Sequence, residues 1–447
     1  IQNLGMVNML LRPDIPGTQK KQWKVFLRAW YLARSKNESK CKKGSVRFTL
    51  KQSLCRLELN KCYLYEMLMK IMCTQENLKR AIGAVERAAG RQSALPVLAN
   101  VLLETESGRL KLSATNLEIG IVARVGAKVE DEGSLTVPVK VLSQFVGNLP
   151  GTEVATLEET AQSLSISCGG YRVKIKGLPA TDFPIIPAKK NAASIELPAQ
   201  AFRAALSRLL PCVATQETRL ELTGVNFLFS EKDVALAATD SFRLAEEIVP
   251  LEKFLDESML SEIGAIGSLI LPATTLMEVS RAISPTQKTV SMTLDENQVF
   301  FEMEGVEVIS RLILGKFPDY RQIMPQEFSF SAVLEKEAFL RSLKIASVFA
   351  AGEIAVELAS DEGKVLVEAV SSGVGEQQAE VPAKFLSGSG RLRVVFPPKS
   401  LLDGVGFMET PSIAFRGNTS GTPVALAMTD DETPRTNFTY IMMPIQK

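Results

Sequence analysis

One pattern recurs three times, in the same order, from Met72 to the end of the chain. Each repeat opens with an amphipathic helix signature. Residues 77–89 place Leu78, Ile82, Val85 and Ala89 on one face, residues 201–210 do so with Phe202, Leu206 and Leu209, and residues 337–346 with Phe339, Leu343 and Ala346. Alternating segments such as Arg109–Thr115 and Lys364–Val370 follow, and their period of two predicts half-buried strands. A second helix is announced by proline at 138, 272 and 397, since a first-turn proline forfeits no hydrogen bond. Two repeats close alike, on Gly177-Leu-Pro-Ala-Thr-Asp-Phe-Pro184 and Gly315-Lys-Phe-Pro-Asp-Tyr320, and the third on Ile441-Met-Met-Pro444. Helix, strands, helix, strands, three times over, predicts an α+β chain of three similar domains, with antiparallel sheets and two helices on one face of each. The expected domains are 72–193, 194–326 and 327–447, each of about 125 residues, an ordinary domain size.

Residues 1–71 stand apart. They carry 15 Lys+Arg against 4 Asp+Glu, whereas the rest of the chain is acidic, and the whole nets +1. Both tryptophans, Trp23 and Trp30, lie there. Such a shift marks a boundary. The segment is expected to be an appendage: a basic arm or targeting segment, or sequence upstream of a natural start at Met72.

Composition removes several chemistries. With no histidine, the Ser-His-Asp triad, the Cys-His pair and the HExxH zinc site are excluded. Six cysteines show no CxxC spacing and read as unpaired thiols of a cytoplasmic protein. There is no phosphate-loop motif, and Gly373-Val-Gly375, Gly388-Ser-Gly390 and Gly404-Val-Gly406 are expected to be turns. No carboxylate set has metal-ligand spacing, and no apolar run reaches 18 residues, so no membrane span is expected. The expectation is a non-catalytic protein without metal or cofactor.

Two features suggest binding. The opening helices carry Lys79, Arg80 and Arg87, then Arg203 and Arg208, then Arg341 and Lys344, off their apolar faces. A solvated surface explains one such helix. Three related ones suggest a shared basic surface that grips duplex phosphates without reading bases. The second feature is Ala238-Thr-Asp-Ser-Phe-Arg-Leu-Ala245, a turn carrying Phe, Arg and Leu together where small polar residues are usual. It suits either a strand end packing Phe242 and Leu244 into the core, or a ligand cleft with an apolar floor and Arg243 as a cation at its rim.

From Met72 to Lys447 the chain resembles the bacterial sliding clamp, the beta subunit of DNA polymerase III. The resemblance rests on Leu95-Pro-Val-Leu-Ala-Asn-Val-Leu-Leu103, Ala114-Thr-Asn-Leu-Glu-Ile119, Leu178-Pro-Ala-Thr-Asp-Phe-Pro184, Thr239-Asp-Ser-Phe-Arg-Leu-Ala245, Gly315-Lys-Phe-Pro-Asp-Tyr-Arg321 and Met443-Pro-Ile445. It implies three clamp domains, and a head-to-tail homodimer closed as a ring with helices lining the hole and sheets outside. Such a ring encircles duplex DNA and tethers the replicative polymerase for processivity. Its partners would be the polymerase III catalytic subunit, the clamp loader, and other polymerases and repair proteins, which insert a short linear motif into an apolar cleft. By matching positions that cleft would be built from Leu222, Thr239, Ser241, Phe242, Arg243, Leu244, Pro272, Leu276, Phe317, Met442, Met443, Pro444 and Ile445. DNA contacts would add Arg91 or Gln92, and Gln216 and Arg219 of the Gln216–Arg219 loop. The sequence departs from the family at Ser241, where glycine is usual, and at its Ile445-Gln446-Lys447 end. A clamp-like interaction scaffold and a DNA-processing enzyme on the same framework are the other two readings.

Overall fold

The structure, a computed structural model, describes residues 69–90, 95–160, 162–189, 194–216, 218–230, 232–251, 267–295, 297–430 and 433–446. Arg91 and Gln92, and nearly all of the basic segment, lie outside the described residues.

The repeat is visible in the element order. The first runs β1 (Lys70–Thr74), α1 (Gln75–Val85), β2 (Asn100–Glu106), β3 (Arg109–Thr115), β4 (Ile119–Gly126), β5 (Lys128–Asp131), β6 (Ser134–Pro138), α2 (Val139–Gly147), β7 (Val154–Glu159), β8 (Ser163–Cys168), β9 (Tyr171–Lys176) and the short β10 (Leu178–Pro179). The second runs β11 (Ser194–Pro198), α3 (Ala199–Leu209), β12 (Gly224–Phe229), β13 (Asp233–Thr239), β14 (Arg243–Pro250), β15 (Ser268–Pro272), α4 (Ala273–Ala282), β16 (Thr289–Asp295), β17 (Gln298–Met303) and β18 (Val306–Arg311). The third runs β19 (Phe330–Glu335), α5 (Lys336–Phe349), β20 (Ile354–Ala359), β21 (Lys364–Ser371), β22 (Gly375–Ser387), β23 (Arg391–Phe396), α6 (Pro398–Gly406), β24 (Ser412–Gly417), β25 (Val424–Asp430), β26 (Thr433–Pro434) and β27 (Phe438–Met442).

Helix starts follow local chemistry. Thr74 caps α1, its Oγ1 accepting from Asn77 N at 3.4 Å. Pro138, Pro272 and Pro397 occupy the N-cap positions of α2, α4 and α6, where the strand ladder gives way to helix. The predicted apolar stripes are buried: Leu78, Ile82 and Val85 of α1, Phe202, Leu206 and Leu209 of α3, and Phe339, Leu343 and Ala346 of α5. Phe202 lies 6.2 Å from both Phe227 and Phe301, a ring cluster between helix and sheet. Burying a side chain of that size stabilises by about 1.5–3 kcal/mol.

The sheets cross from one repeat into the next. One has the order β5-β1-β7-β8-β9, and a second β10-β6-β2-β3-β4-β18-β17-β16-β11. The third path runs β15-β12-β13-β14-β27-β25-β24-β19-β22-β21-β20-β23. Two junctions are therefore antiparallel strand pairs. In one, β4 meets β18 from Ile119↔Ser310 to Ala123↔Val306; in the other, β14 meets β27 from Arg243↔Met442 to Glu247↔Phe438.

Two expectations need correction. The folded body begins before Met72: Met69 and Ile71 are fully buried, and β1 pairs with both β5 and β7. Gly404-Val-Gly406 is not a turn but the end of α6. Gly404 is there because a Cβ would lie 2.3 Å from the Tyr440 ring.

Candidate functional site

The turn between β13 and β14 is built by two side-chain caps. Thr239 Oγ1 accepts from Ser241 N (3.1 Å) and donates to Arg243 O (2.7 Å). Asp240 Oδ1 accepts from Phe242 N (3.0 Å) and Arg243 N (2.9 Å). This forces Ser241 into the left-handed region, at φ +78°, which is the reason glycine suits this position. The tight turn leaves Phe242 71% exposed, and its carbonyl accepts from Met443 N at 2.8 Å. An aromatic ring held in water on a rigid turn, beside the C-terminal segment, is a ready contact for an apolar ligand.

Beneath it lies a separate apolar cluster of Leu222, Leu244, Ile270, Phe317, Tyr320 and Ile441 with Ala237 and Ala425, flanked by Ile313, Met324 and Phe328. It sits on the sheet face opposite α3–α6, where residues 315–328 cross from the second repeat to the third. Phe317 and Tyr320 meet edge to face at 6.1 Å. Tyr320 donates to Glu246 Oε1 at 2.5 Å, and burial first, then that carboxylate, push its hydroxyl above the ordinary tyrosine range.

The structure brings Leu222, Leu244 and Phe317 together in this cluster, with Thr239, Ser241, Phe242 and Met443 at its rim. Pro272 faces Gly224 at the end of β15, Pro444 is buried, and Ile445 N donates to Val395 O. Three cleft assignments need correction. Arg243 is not a rim cation: it is 7% exposed, donating to Asp240 (2.9 Å), Asp403 (2.6 Å) and the Pro211 carbonyl (2.6 Å), and so ties the turn to α6. Leu276 is fully buried in the main core through α4. Met442 also faces the main core, with Phe438 and Tyr440, and strand alternation turns Ile441 into the second apolar cluster instead. Ile441, Ile270 and Tyr320 were not among the expected cleft residues, although the alternation along Phe438–Met442 carries the signal for Ile441.

Among the expected DNA contacts, Lys79, Arg80, Arg203, Arg341 and Lys344 are exposed on the polar sides of α1, α3 and α5. Gln216 is exposed, and Arg219 pairs with Glu221 at 3.0 Å. Arg87 pairs with Glu278 of α4 across the first junction. Arg208 is a correction: it is 5% exposed and bidentate to Glu247 (2.9 and 2.8 Å). It also bonds Glu409 at 2.5 Å and lies 5.3 Å from the Phe438 ring centre. Burial holds the Glu247 carboxyl above its usual range despite that guanidinium. Arg208 therefore pins two repeats together and is closed to phosphate.

A cavity of about 740 Å³ lies elsewhere, between residues 183–189 and the sheet around β4 and β18. Arg109 apart, its basic residues are paired, Lys111 with Glu104, Arg124 with Glu307 and Lys189 with Glu302. Among the described residues no cluster of three His, Cys, Asp or Glu could hold a metal, and no helix is long and apolar enough to cross a membrane.

Comparison with known proteins places these features. Three consecutive domain profiles match: DNA polymerase III beta subunit N-terminal domain at residues 69–187, central domain at 196–319 and C-terminal domain at 321–446. The beta sliding clamp of Synechococcus elongatus is 29% identical over 385 residues, covering 85% of this chain and 99% of that protein. The beta sliding clamp of Streptomyces coelicolor is 27% identical with the same coverage. Among solved structures, the Thermotoga maritima DNA polymerase III beta subunit aligns with a TM-score of 0.76 at 26% identity, over 85% of this chain and all of that one. The Bacillus subtilis sliding clamp aligns with a TM-score of 0.77 at 22% identity, over 85% and 99%. With all three domains matched in order across the described fold, the chain belongs to the DNA polymerase III beta subunit family.

Proposed function

We propose that this chain is a sliding clamp: two copies close head to tail around duplex DNA and tether the replicative polymerase. The observation that carries this reading is the shared rule of the two internal junctions. In each, the third strand after one repeat's opening helix (β4, β14) pairs with the last long strand of the next repeat's second half (β18, β27). The strands left over are β9 and residues 375–380 of β22, each paired on one side only. They are of the two complementary kinds, at opposite ends of the chain. β9 presents Arg172, Lys174 and Lys176, and this part of β22 presents Glu376 and Glu380. Carrying the register of β4 and β18 over, through the aligned hairpins, sets Glu376 opposite Lys174. Two copies then bury both edges, and a heterologous contact that closes after two copies gives a ring. The three domains of each copy are taken as residues 69–193, 194–326 and 327–447.

In such a ring the six helices of the described residues line the hole in each copy. Exposed cations on α1, α3 and α5 attract phosphates without fixing a register, which lets the ring slide. The tether raises the polymerase's effective concentration at the primer end without catalysis by the clamp. The cleft around Phe242, Leu244 and Phe317 takes short apolar segments of the polymerase, the clamp loader and repair proteins. A cytoplasmic location fits the free, buried thiols of Cys73, Cys168 and Cys212.

Two measurements bear on the DNA face and the cleft. Replacing Arg203 and Lys344 with serine should shorten retention on nicked circular DNA and flatten its salt dependence, by about 0.9 in the log–log slope for each phosphate contact removed. An unchanged slope would mean that α3 and α5 do not face DNA. Phe242→Ala should weaken a polymerase-derived peptide by more than about fivefold, as for a central aromatic anchor. Titration by fluorescence anisotropy checks this, and an unchanged affinity would place the peptide on another surface.

A further inference from the structure

The turn between β3 and β4 repeats the turn between β13 and β14 bond for bond. Thr115 Oγ1 accepts from Leu117 N (3.0 Å) and donates to Ile119 O (2.9 Å). Asn116 Oδ1 accepts from Glu118 N (3.0 Å) and Ile119 N (2.8 Å). Leu117 therefore stands where Ser241 stands, in the left-handed region at φ +76°. Glu118 takes the place of Phe242, and Gly120 that of Leu244. A leucine at such a φ is strained where glycine or asparagine would not be. Here it is also 50% exposed. Strain without burial points to a side chain that serves something outside the fold.

The space beside Leu117 is open. At the second junction the crossing segment packs Phe317 and Tyr320 over the apolar cluster. At the first, Pro184-Ile-Ile-Pro187 crosses instead, stiffened by a proline at each end. Ile186 fills the space over Gly120, where a Cβ would lie 3.2 Å from Ile186 Cγ2. Its neighbour Ile185 is 96% exposed. Leu117 and this segment line a slot of about 110 Å³. Sites for drug-sized ligands run from about 300 Å³ upward, so the slot suits a single side chain. Arg311, the last residue of β18, lines the same slot. It is exposed, and among the described residues no carboxylate lies within ion-pair distance of it. Neither β9 nor residues 375–380 of β22 contribute to the slot, so pairing of two copies along those edges leaves it open.

We propose that this slot is a second docking point, for a segment of a partner protein that carries a leucine-sized apolar side chain next to a carboxylate. The apolar side chain seats between Leu117 and Ile185, and the carboxylate pairs with Arg311. The guanidinium is a planar fork that can meet a carboxylate with two parallel hydrogen bonds. That favours an acidic neighbour over the basic one that Glu118, also at the slot, would select. The slot is separate from the cleft at Phe242, and failure of either leaves the other standing.

The test uses the full chain with isotope-labelled leucine and isoleucine methyl groups. The probes are the smallest peptides with the required chemistry, acetyl-Leu-Glu-amide and acetyl-Glu-Leu-amide, each with a Gln control. Titration should shift the methyl signals of Leu117, Ile185 and Ile186. For one order the Glu probe should bind about two- to fivefold tighter than its Gln control, the range of an exposed ion pair. Arg311→Gln should erase that advantage and leave the Gln probe's affinity unchanged. Leu117→Gly, which the turn accepts without strain, should weaken the Glu and Gln probes alike by about threefold or more. Unshifted signals at all three positions overturn the proposal, whether or not the probes bind near Ile441 instead. Equal binding of Glu and Gln probes, or an advantage that survives Arg311→Gln, also overturns it. Tighter binding of acetyl-Leu-Lys-amide than of the Glu probe would give the selection to Glu118 and overturn it as well.

Discussion

Arg208→Ala should destabilise the folded body by about 3–5 kcal/mol, the cost of leaving a buried carboxylate without its partner. Glu247 is the group left behind, on a strand whose register partner is Phe438. Because Arg208 also reaches Glu409, the loss falls on the contact between the second and third repeats. Urea unfolding followed by far-ultraviolet circular dichroism checks this, fitted with a separate transition for each domain that unfolds on its own. Glu409→Gln provides the contrast. Glu409 is 65% exposed and Arg208 keeps Glu247 when it is changed, so this substitution should cost about 0–1 kcal/mol. Replacing Arg208 and Glu247 together with methionine and leucine should recover most of the loss, since an apolar pair of similar volume leaves no orphaned charge. A loss near 1 kcal/mol for Arg208→Ala would show that water reaches the pair and that it does not pin the junction.

Arg208 also shows what the sequence conceals. The helix period identified Phe202, Leu206 and Leu209 as buried, and that is local information. The same period leaves Arg208 looking like a polar-face cation. It is buried because Glu247 and Glu409 converge on it from 39 and 201 positions away. Arg243 is misread for the same reason, through Asp403, 160 positions on. The repeat, the proline starts and the turn at Thr239 rest on short-range chemistry and were legible. The junctions rest on pairings such as Arg243↔Met442, which no local pattern announces. Met442 is a different case: the two-residue period of Phe438–Met442 puts Met442 with Tyr440 on the core face, a local signal that position in a family pattern does not carry.

Ile345→Asp with Val348→Asp should convert the dimer to monomer at micromolar concentration and abolish retention on nicked circular DNA. At the first junction the end of an opening helix meets a proline-started helix, the turn that follows α1 touching α4 through Arg87 and Glu278. The same rule brings α5 of one copy to α2 of the other. Both helices carry apolar side chains in water, Ile345 at 47% and Val348 at 70% on α5, and Val141 at 48% on α2. Burying the part of these two side chains that is still exposed stabilises each interface by about 2–3.5 kcal/mol, scaled from about 1.5–3 kcal/mol for a fully exposed side chain. A ring of two copies has two interfaces, so the dissociation constant should rise by about a thousandfold or more. Since both positions are exposed within one copy, the far-ultraviolet circular dichroism should not change. A pure folding defect would change it. The strand edge gives the register test. Lys174→Glu alone should weaken the dimer by setting like charges opposite each other, and adding Glu376→Lys should restore it. Sedimentation velocity reads all four proteins. Dimers that persist after both aspartates would place the interface elsewhere, and weakening by Lys174→Glu without rescue would keep the edge but shift its register.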